Sequence, residues 1–275
     1  MSRYTYTLIL IFFCSIQVFA QRTNQDAALK KKEDKLAKRN KINEMIHKEE
    51  EGVPAFNKQG TFQFKLNYDG YGFLYELGKM KTPYKTSIFQ FGFSEKQHPK
   101  EEKQTSYTGG SGFTMIAKPF VYGKQNIFYQ AKIGAGQALM IGGKGNKNGV
   151  SVHAILVGGF SAGLLRPYYM EFLSSTGGTE KIKFTEANRA KFFNPQNIVG
   201  GTGLSKGWNE IKFNPGIYAK TALLFDWARF NQVVSAMEFG FTYDFYSQKV
   251  VQMVDVPGKS FFPTGYLALV FGNRK

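Results

Sequence analysis

From residue 61 onward, apolar and polar residues alternate with a period of two. Phe62, Phe64, Leu66 and Tyr68 take turns with Thr61, Gln63, Lys65 and Asn67, which predicts a strand with one apolar face. Tyr71, Phe73, Tyr75 and Leu77 repeat the pattern, and Ser87, Phe89, Phe91 and Phe93 oppose Thr86, Gln90 and Ser94, with Ile88 out of step. Residues 127–141, 150–164, 211–225 and 233–245 continue it. In the clearest case Ile211, Phe213, Ile217 and Leu223 stand against Glu210, Lys212, Tyr218 and Lys220. Leu267, Leu269 and Phe271 mark a final strand, which makes eight.

The joints between these strands have two lengths. Those near residues 82–84, 143–148 and 226–232 are short, and those at 98–125, 172–208 and 248–260 are long. Short and long alternate once the tight Asp69-Gly70 turn is taken as an outer loop. An even strand number with short turns at one end and long loops at the other is the pattern of an outer-membrane β-barrel. In lipid, a closed barrel is the one sheet that leaves no unpaired edge. The competing architecture is a soluble β-sandwich, its apolar faces packed on each other. Strands of up to about 15 to 20 residues, as in 150–169, exceed the usual soluble length and favour a tall barrel.

Ahead of the strands lie two different segments. Residues 1–20 read as a cleaved signal peptide: Arg3 is the positive end, residues 8–13 the apolar core, and Val18-Phe19-Ala20 the cleavage pattern before Gln21. Cleavage removes Cys14, the one cysteine of the chain. Residues 21–52 form a charged helical arm on the periplasmic side. The stretch 24–51 has no Gly or Pro and is rich in Ala, Leu, Lys and Glu, and Gly52 and Pro54 end it. Its apolar stripe of Leu29, Leu36, Ile42 and Ile46 is thin, so it reads as a solvated spacer, with docking onto a periplasmic partner as the alternative.

The signal ending Phe19-Ala20-Gln21, the terminal strand Gly265-Tyr266-Leu267-Ala268-Leu269-Val270-Phe271 and the Gly/aromatic hairpins resemble those of the small outer-membrane β-barrel proteins of Bacteroidota. The resemblance spans about residues 60–275. It implies an all-β fold, an antiparallel up-and-down transmembrane β-barrel of about eight strands with an N-terminal helical arm, inserted into a Gram-negative outer membrane by barrel assembly machinery. Phe271 is followed by Gly272-Asn273-Arg274-Lys275, so the terminal Phe of such barrels is not in its usual register here.

Charge then distinguishes inside from outside. The chain carries 36 Lys and Arg against 20 Asp and Glu, a formal +16, with 16% aromatic residues, which excludes a disordered chain. If the apolar faces meet lipid, Lys65, Glu76, Lys132, Glu210, Lys212, Lys220, Glu238 and Asp244 project into the lumen, four of each sign. An eight-stranded barrel is just wide enough for side chains to fill, so these charges must pair and a closed, salt-bridged lumen is expected. One basic residue lies in the first 21 residues and nine in 22–51, with seven acids in the latter, which leaves 26 basic and 13 acidic residues beyond. The excess therefore falls on loops and rims. Arg166, Lys181, Lys183, Arg189 and Lys191 are candidate contacts for lipid phosphate, including that of lipopolysaccharide, or for a partner.

Chemistry is sparsely represented. Three His and one Cys leave no soft-ligand set for a metal site, and no cofactor motif is present. The Gly-rich runs at 109–112 and 142–145 lack phosphate-loop spacing. No nucleic-acid module accompanies the positive charge. Ser151 and His153 share a strand face, and Glu210 or Glu238 lies on a candidate facing strand. Lipid A deacylases carry His-x-Ser facing lipid, whereas Ser151-x-His153 is reversed and faces inward. A non-enzymatic barrel with a structural or accessory role is the expectation, a small transport or adhesion barrel the alternative, and a lipid A-modifying enzyme the more distant one.

Overall fold

The computed structural model describes residues 31–36, 39–40, 56–105, 107–110, 113–116, 118–145, 148–174, 178–228 and 232–275. The signal segment and most of the arm lie outside them. Within Met1–Ala55, a unit separate from the remainder, residues 31–36 and 39–40 are helical and exposed.

Phe56–Lys275 is built around eight long strands: β1 Lys58–Asn67, β2 Gly70–Thr82, β3 Lys85–Lys96, β4 Asn126–Gly142, β5 Ser151–Pro167, β6 Lys212–Asp226, β7 Val233–Val250 and β8 Lys259–Arg274. Each pairs antiparallel with its chain neighbour, and β8 returns to β1, closing a barrel. The closing seam runs from Gln59 opposite Arg274 to Asn67 opposite Tyr266. Ring closure excludes the sandwich, which would keep two separate sheets with free edges. Both chain ends of the barrel and the short joints 83–84, 143–150 and 227–232 lie at one end, here called inner. The longer connections 97–125 and 168–211 lie at the outer end, with the tight turn after Asn67 and residues 251–258.

The period-two pattern sets which way side chains face, because successive strand residues alternate between the two sides of a sheet. On β1, Thr61, Gln63 and Lys65 are buried while Phe62 and Leu66 are about half exposed. The polar set therefore points inward and the apolar set outward, the reverse of a soluble protein. Ile88 breaks the alternation because it packs inside, in a cluster with Ala138, Ile155, Val157, Tyr218 and Tyr266. Strand length adds height: 17 residues at about 3.3 Å each, tilted about 40°, stand roughly 40 Å tall, more than the roughly 25 Å apolar band of such barrels.

Glycines leave room where the barrel wall is crossed by large inward side chains. A Cβ on Gly134 would lie 2.2 Å from the Tyr218 hydroxyl, and one on Gly159 2.1 Å from the Ile133 carbonyl. Gly134→Val is expected to displace Tyr218, break its 2.7 Å bond from Gln90, and cost about 1–3 kcal/mol by overpacking. A lower midpoint temperature for conversion of the compact to the unfolded gel band would report it.

Candidate functional site

The lumen is filled in layers. Near the outer end Phe128, Tyr246 and Phe262 form a ring cluster with centroids 5.3 to 6.0 Å apart, and Phe128 and Tyr246 are fully buried. Below them Lys132 meets Asp244 at 2.6 Å and Lys220 meets Glu238 at 3.1 Å. Glu238 also accepts hydrogen bonds from Tyr266 and, at 3.3 Å, from Gln63. Lys65 lies 3.6 Å above the Tyr266 ring, a cation–π contact rather than an ion pair. Glu76 is 3% exposed and faces the same interior. Two further pairs, unforeseen from the sequence, close the ends. Lys96 binds Asp69 at 2.7 Å and the Thr264 hydroxyl; Arg274 binds Asp226 at 2.6 Å and stacks on Phe56 at 4.8 Å. Continuing the alternation of β3 to its last residue would have placed Lys96 inside.

Two of the predicted lumen charges lie elsewhere. Glu210 is not on a strand: Trp208–Glu210 form a turn of 3₁₀ helix after Gly207, whose φ of 92° is left-handed, and the turn lies against the outer side of the wall, Trp208 stacking on Tyr129. Lys212 is the first residue of β6 and is exposed at the rim, with no wall above it to enclose it. Lys96–Asp69 and Arg274–Asp226 stand in their place, so the interior signs still cancel.

The outer connection 168–211 is not an open loop but a folded platform. Tyr169–Leu173 pairs with Thr179–Lys183 and Ile198–Gly201 in a three-stranded sheet. Met170, Phe172 and Phe192 are fully buried beneath it, and the cluster runs on to Ile127 and Tyr129 of β4. The platform's core is therefore continuous with the outward side of the barrel wall. Arg166 joins the two. Its side chain is 1% exposed, 4.7 Å from the Trp208 ring and 5.7 Å from Tyr129, with the carbonyls of Gly203 and Lys206 accepting at 3.3 and 3.4 Å. Covered in this way, Arg166 is not an accessible phosphate contact. The other four predicted contacts are exposed but paired: Lys181 with Glu171, Lys183 with Glu210, Arg189 with Glu186 and Asp255, and Lys191 with Glu180. Such exposed pairs contribute little individually. The bonds from Lys183 and Tyr169 hold the Glu210 carboxyl below its ordinary range.

Ser151 and His153 meet at the inner end, Oγ to Nε2 at 3.3 Å. The cavity that His153 lines is about 20 Å³, space for roughly one water. Asp226, opposite Ser151 in the register, is engaged by Arg274. Among the described residues no group of three or more His, Cys, Asp and Glu is arranged to hold a metal ion.

No protein-family model and no curated protein sequence matches the chain. Solved structures of similar fold include Ail, the attachment invasion locus protein of Yersinia pestis, at 10% identity and a TM-score of 0.35 over 80% of this chain and 100% of that one. Neisserial surface protein A is another, at 10% identity and 0.36 over 80% and 97%. The likeness is too low to carry a function across, and the eight-stranded ring rests on the chain's own pairing.

Two expected outcomes follow from this geometry. Glu238→Ala leaves Lys220 buried without its acid and should destabilise by about 3–5 kcal/mol, whereas replacing both residues together by Met should recover most of the loss; thermal midpoints of the compact gel band test both. A carboxyl whose folded pKa is depressed contributes stability above its ordinary value, 4.5 for Glu210, and loses it as pH falls through the lowered one. Amide protection at 169–173, corrected for intrinsic exchange, should thus be intact at neutral pH and drop in strong acid. Glu210→Gln should show much less of that drop.

Proposed function

We propose that this protein is a non-enzymatic integral outer-membrane β-barrel that anchors a rigid outer platform, with the residues before the barrel on the periplasmic side. One observation carries the reading: every strand of the closed ring turns a large apolar side chain outward. Phe62, Phe73, Phe91, Ile133, Phe160, Ile217, Phe241 and Phe271, one from each strand, are 44–72% exposed. Such a girdle is stable in lipid and a severe liability in water. Its natural surroundings are outer-membrane lipid, including lipopolysaccharide, and its route there is the barrel assembly machinery. A partner for the helical arm belongs to the same reading.

The role is structural or accessory. The aromatic cluster and the paired charges argue against transport through the lumen, and the packed core of the platform favours adhesion as the second reading, since a pre-organised surface binds without first ordering itself. The Ser151–His153 contact is taken as part of the inner packing, because its cavity has no room for an acyl chain.

Cell fractionation should find the mature chain in the outer membrane, migrating faster unboiled than boiled. A soluble periplasmic protein without a heat shift overturns the reading. Reconstituted in planar bilayers, the barrel should give no steady conductance steps.

A further inference from the structure

Part of the barrel's surplus of positive charge lies at its inner rim. Lys58 of β1, Lys79 and Lys81 of β2, and Lys85 of β3 lie at the inner ends of three adjacent strands, and Lys275 follows β8 beside them. Lys58, Lys79 and Lys85 stand in the same alternation as the outward apolar residues, Lys58 with Phe62, Lys79 with Leu77 and Lys85 with Phe89; Lys81 is exposed at the bulge between Met80 and Thr82, and Lys275 is exposed just past the last residue of β8. Lys58 is directly opposite Lys79 in the register, and its backbone N–H donates to the Lys275 carbonyl at 2.8 Å.

Like charges placed opposite each other across strands are destabilising unless something neutralises them. Among the described residues none of the five lysines has a carboxylate partner, while the nearby Glu76 and Asp226 point inward and Arg274 occupies Asp226. At the inner ends of the other strands the outward positions are Ile141, Val152, Phe225 and Val233, all uncharged. Among the described residues these lysines form one patch at the lower edge of the apolar girdle. Lysine stems lie along apolar surface and carry the ammonium to the headgroup level.

Resting on the membrane reading above, we propose that the inner rim of β8, β1, β2 and β3 binds anionic phospholipid headgroups of the leaflet it faces. A phosphate with no cation of its own supplies the charge that the described residues lack there, whereas a zwitterionic headgroup brings a competing ammonium.

The test uses the full mature chain in phosphatidylcholine bilayers, with spin-labelled phosphatidylglycerol and spin-labelled phosphatidylcholine as probes. At low salt the association of phosphatidylglycerol should exceed that of phosphatidylcholine by about threefold or more, and the preference should vanish in molar salt. Lys58→Gln, Lys79→Gln, Lys81→Gln and Lys85→Gln combined should bring the ratio near unity, and Lys79→Gln with Lys81→Gln alone, the milder variant, should lower it by roughly half. Lys100→Gln with Lys103→Gln at the outer end should leave it unchanged. The heat shift is recorded on every sample. A heat-shifting barrel that associates equally with both lipids, or whose preference survives removal of the lysines, overturns this inference alone. A wild-type chain with no heat shift overturns the membrane reading and this inference with it.

Discussion

Everything in the barrel depends on β8 finding β1. Each strand before β8 pairs with its chain neighbour across a connection that draws the two together, but the seam joins residues some 200 positions apart, Gln59 with Arg274 and Asn67 with Tyr266. Until it forms, two rows of backbone N–H and C=O groups are open. In water those rows invite aggregation, and in lipid each unpaired group costs several kcal/mol, on the order found for polar burial in hydrocarbon. Closure removes both penalties together, and it fixes the diameter into which all inward side chains must fit.

That diameter dictates the interior. A ring of eight strands has space for side chains and little else, so every inward charge is removed from bulk water whether or not it has a partner. Lys220–Glu238 and Lys132–Asp244 in the middle, with Lys96–Asp69 and Arg274–Asp226 toward the two ends, answer that constraint. Aromatic residues complete the fill, Phe128, Tyr246 and Phe262 on the outer side and Phe56 against Arg274 on the inner. The inward glycines belong to the same packing problem: Gly134 is where Tyr218 fits.

The two ends of the cylinder differ in kind. At the outer end the acids and bases of the platform lie close in number and pair across its surface, and its hydrophobic core grows out of the wall through Ile127 and Tyr129. Arg166, placed by alternation on the outward face, would be costly there if it faced lipid; Trp208 and the carbonyls of Gly203 and Lys206 cover it instead. At the inner end the rim lysines of β1, β2 and β3 have no such cover among the described residues. Several charges of the platform are thus paired within the chain above, while the rim lysines below have no carboxylate partner among the described residues.

Strand number, strand direction and the identity of the outward face were legible in the sequence, because alternation along a strand is a local property that needs no knowledge of partners. The order of short and long joints gave the up-and-down ring for the same reason. Lys65, Glu76, Lys132, Lys220, Glu238 and Asp244 were found inside by parity alone. Parity failed where its premise fails: Glu210 belongs to a helical turn and Lys212 is exposed at the rim, whereas Lys96 and Arg274 obey it but lie three residues beyond the last outward Phe of their strands, Phe93 and Phe271. Which charge meets which, how the described residues of 168–211 fold onto the wall, and that five lysines at the inner ends of four strands meet on one rim were decided only by the tertiary structure. Those are contacts between residues far apart in the chain, and register and ring closure alone bring them together.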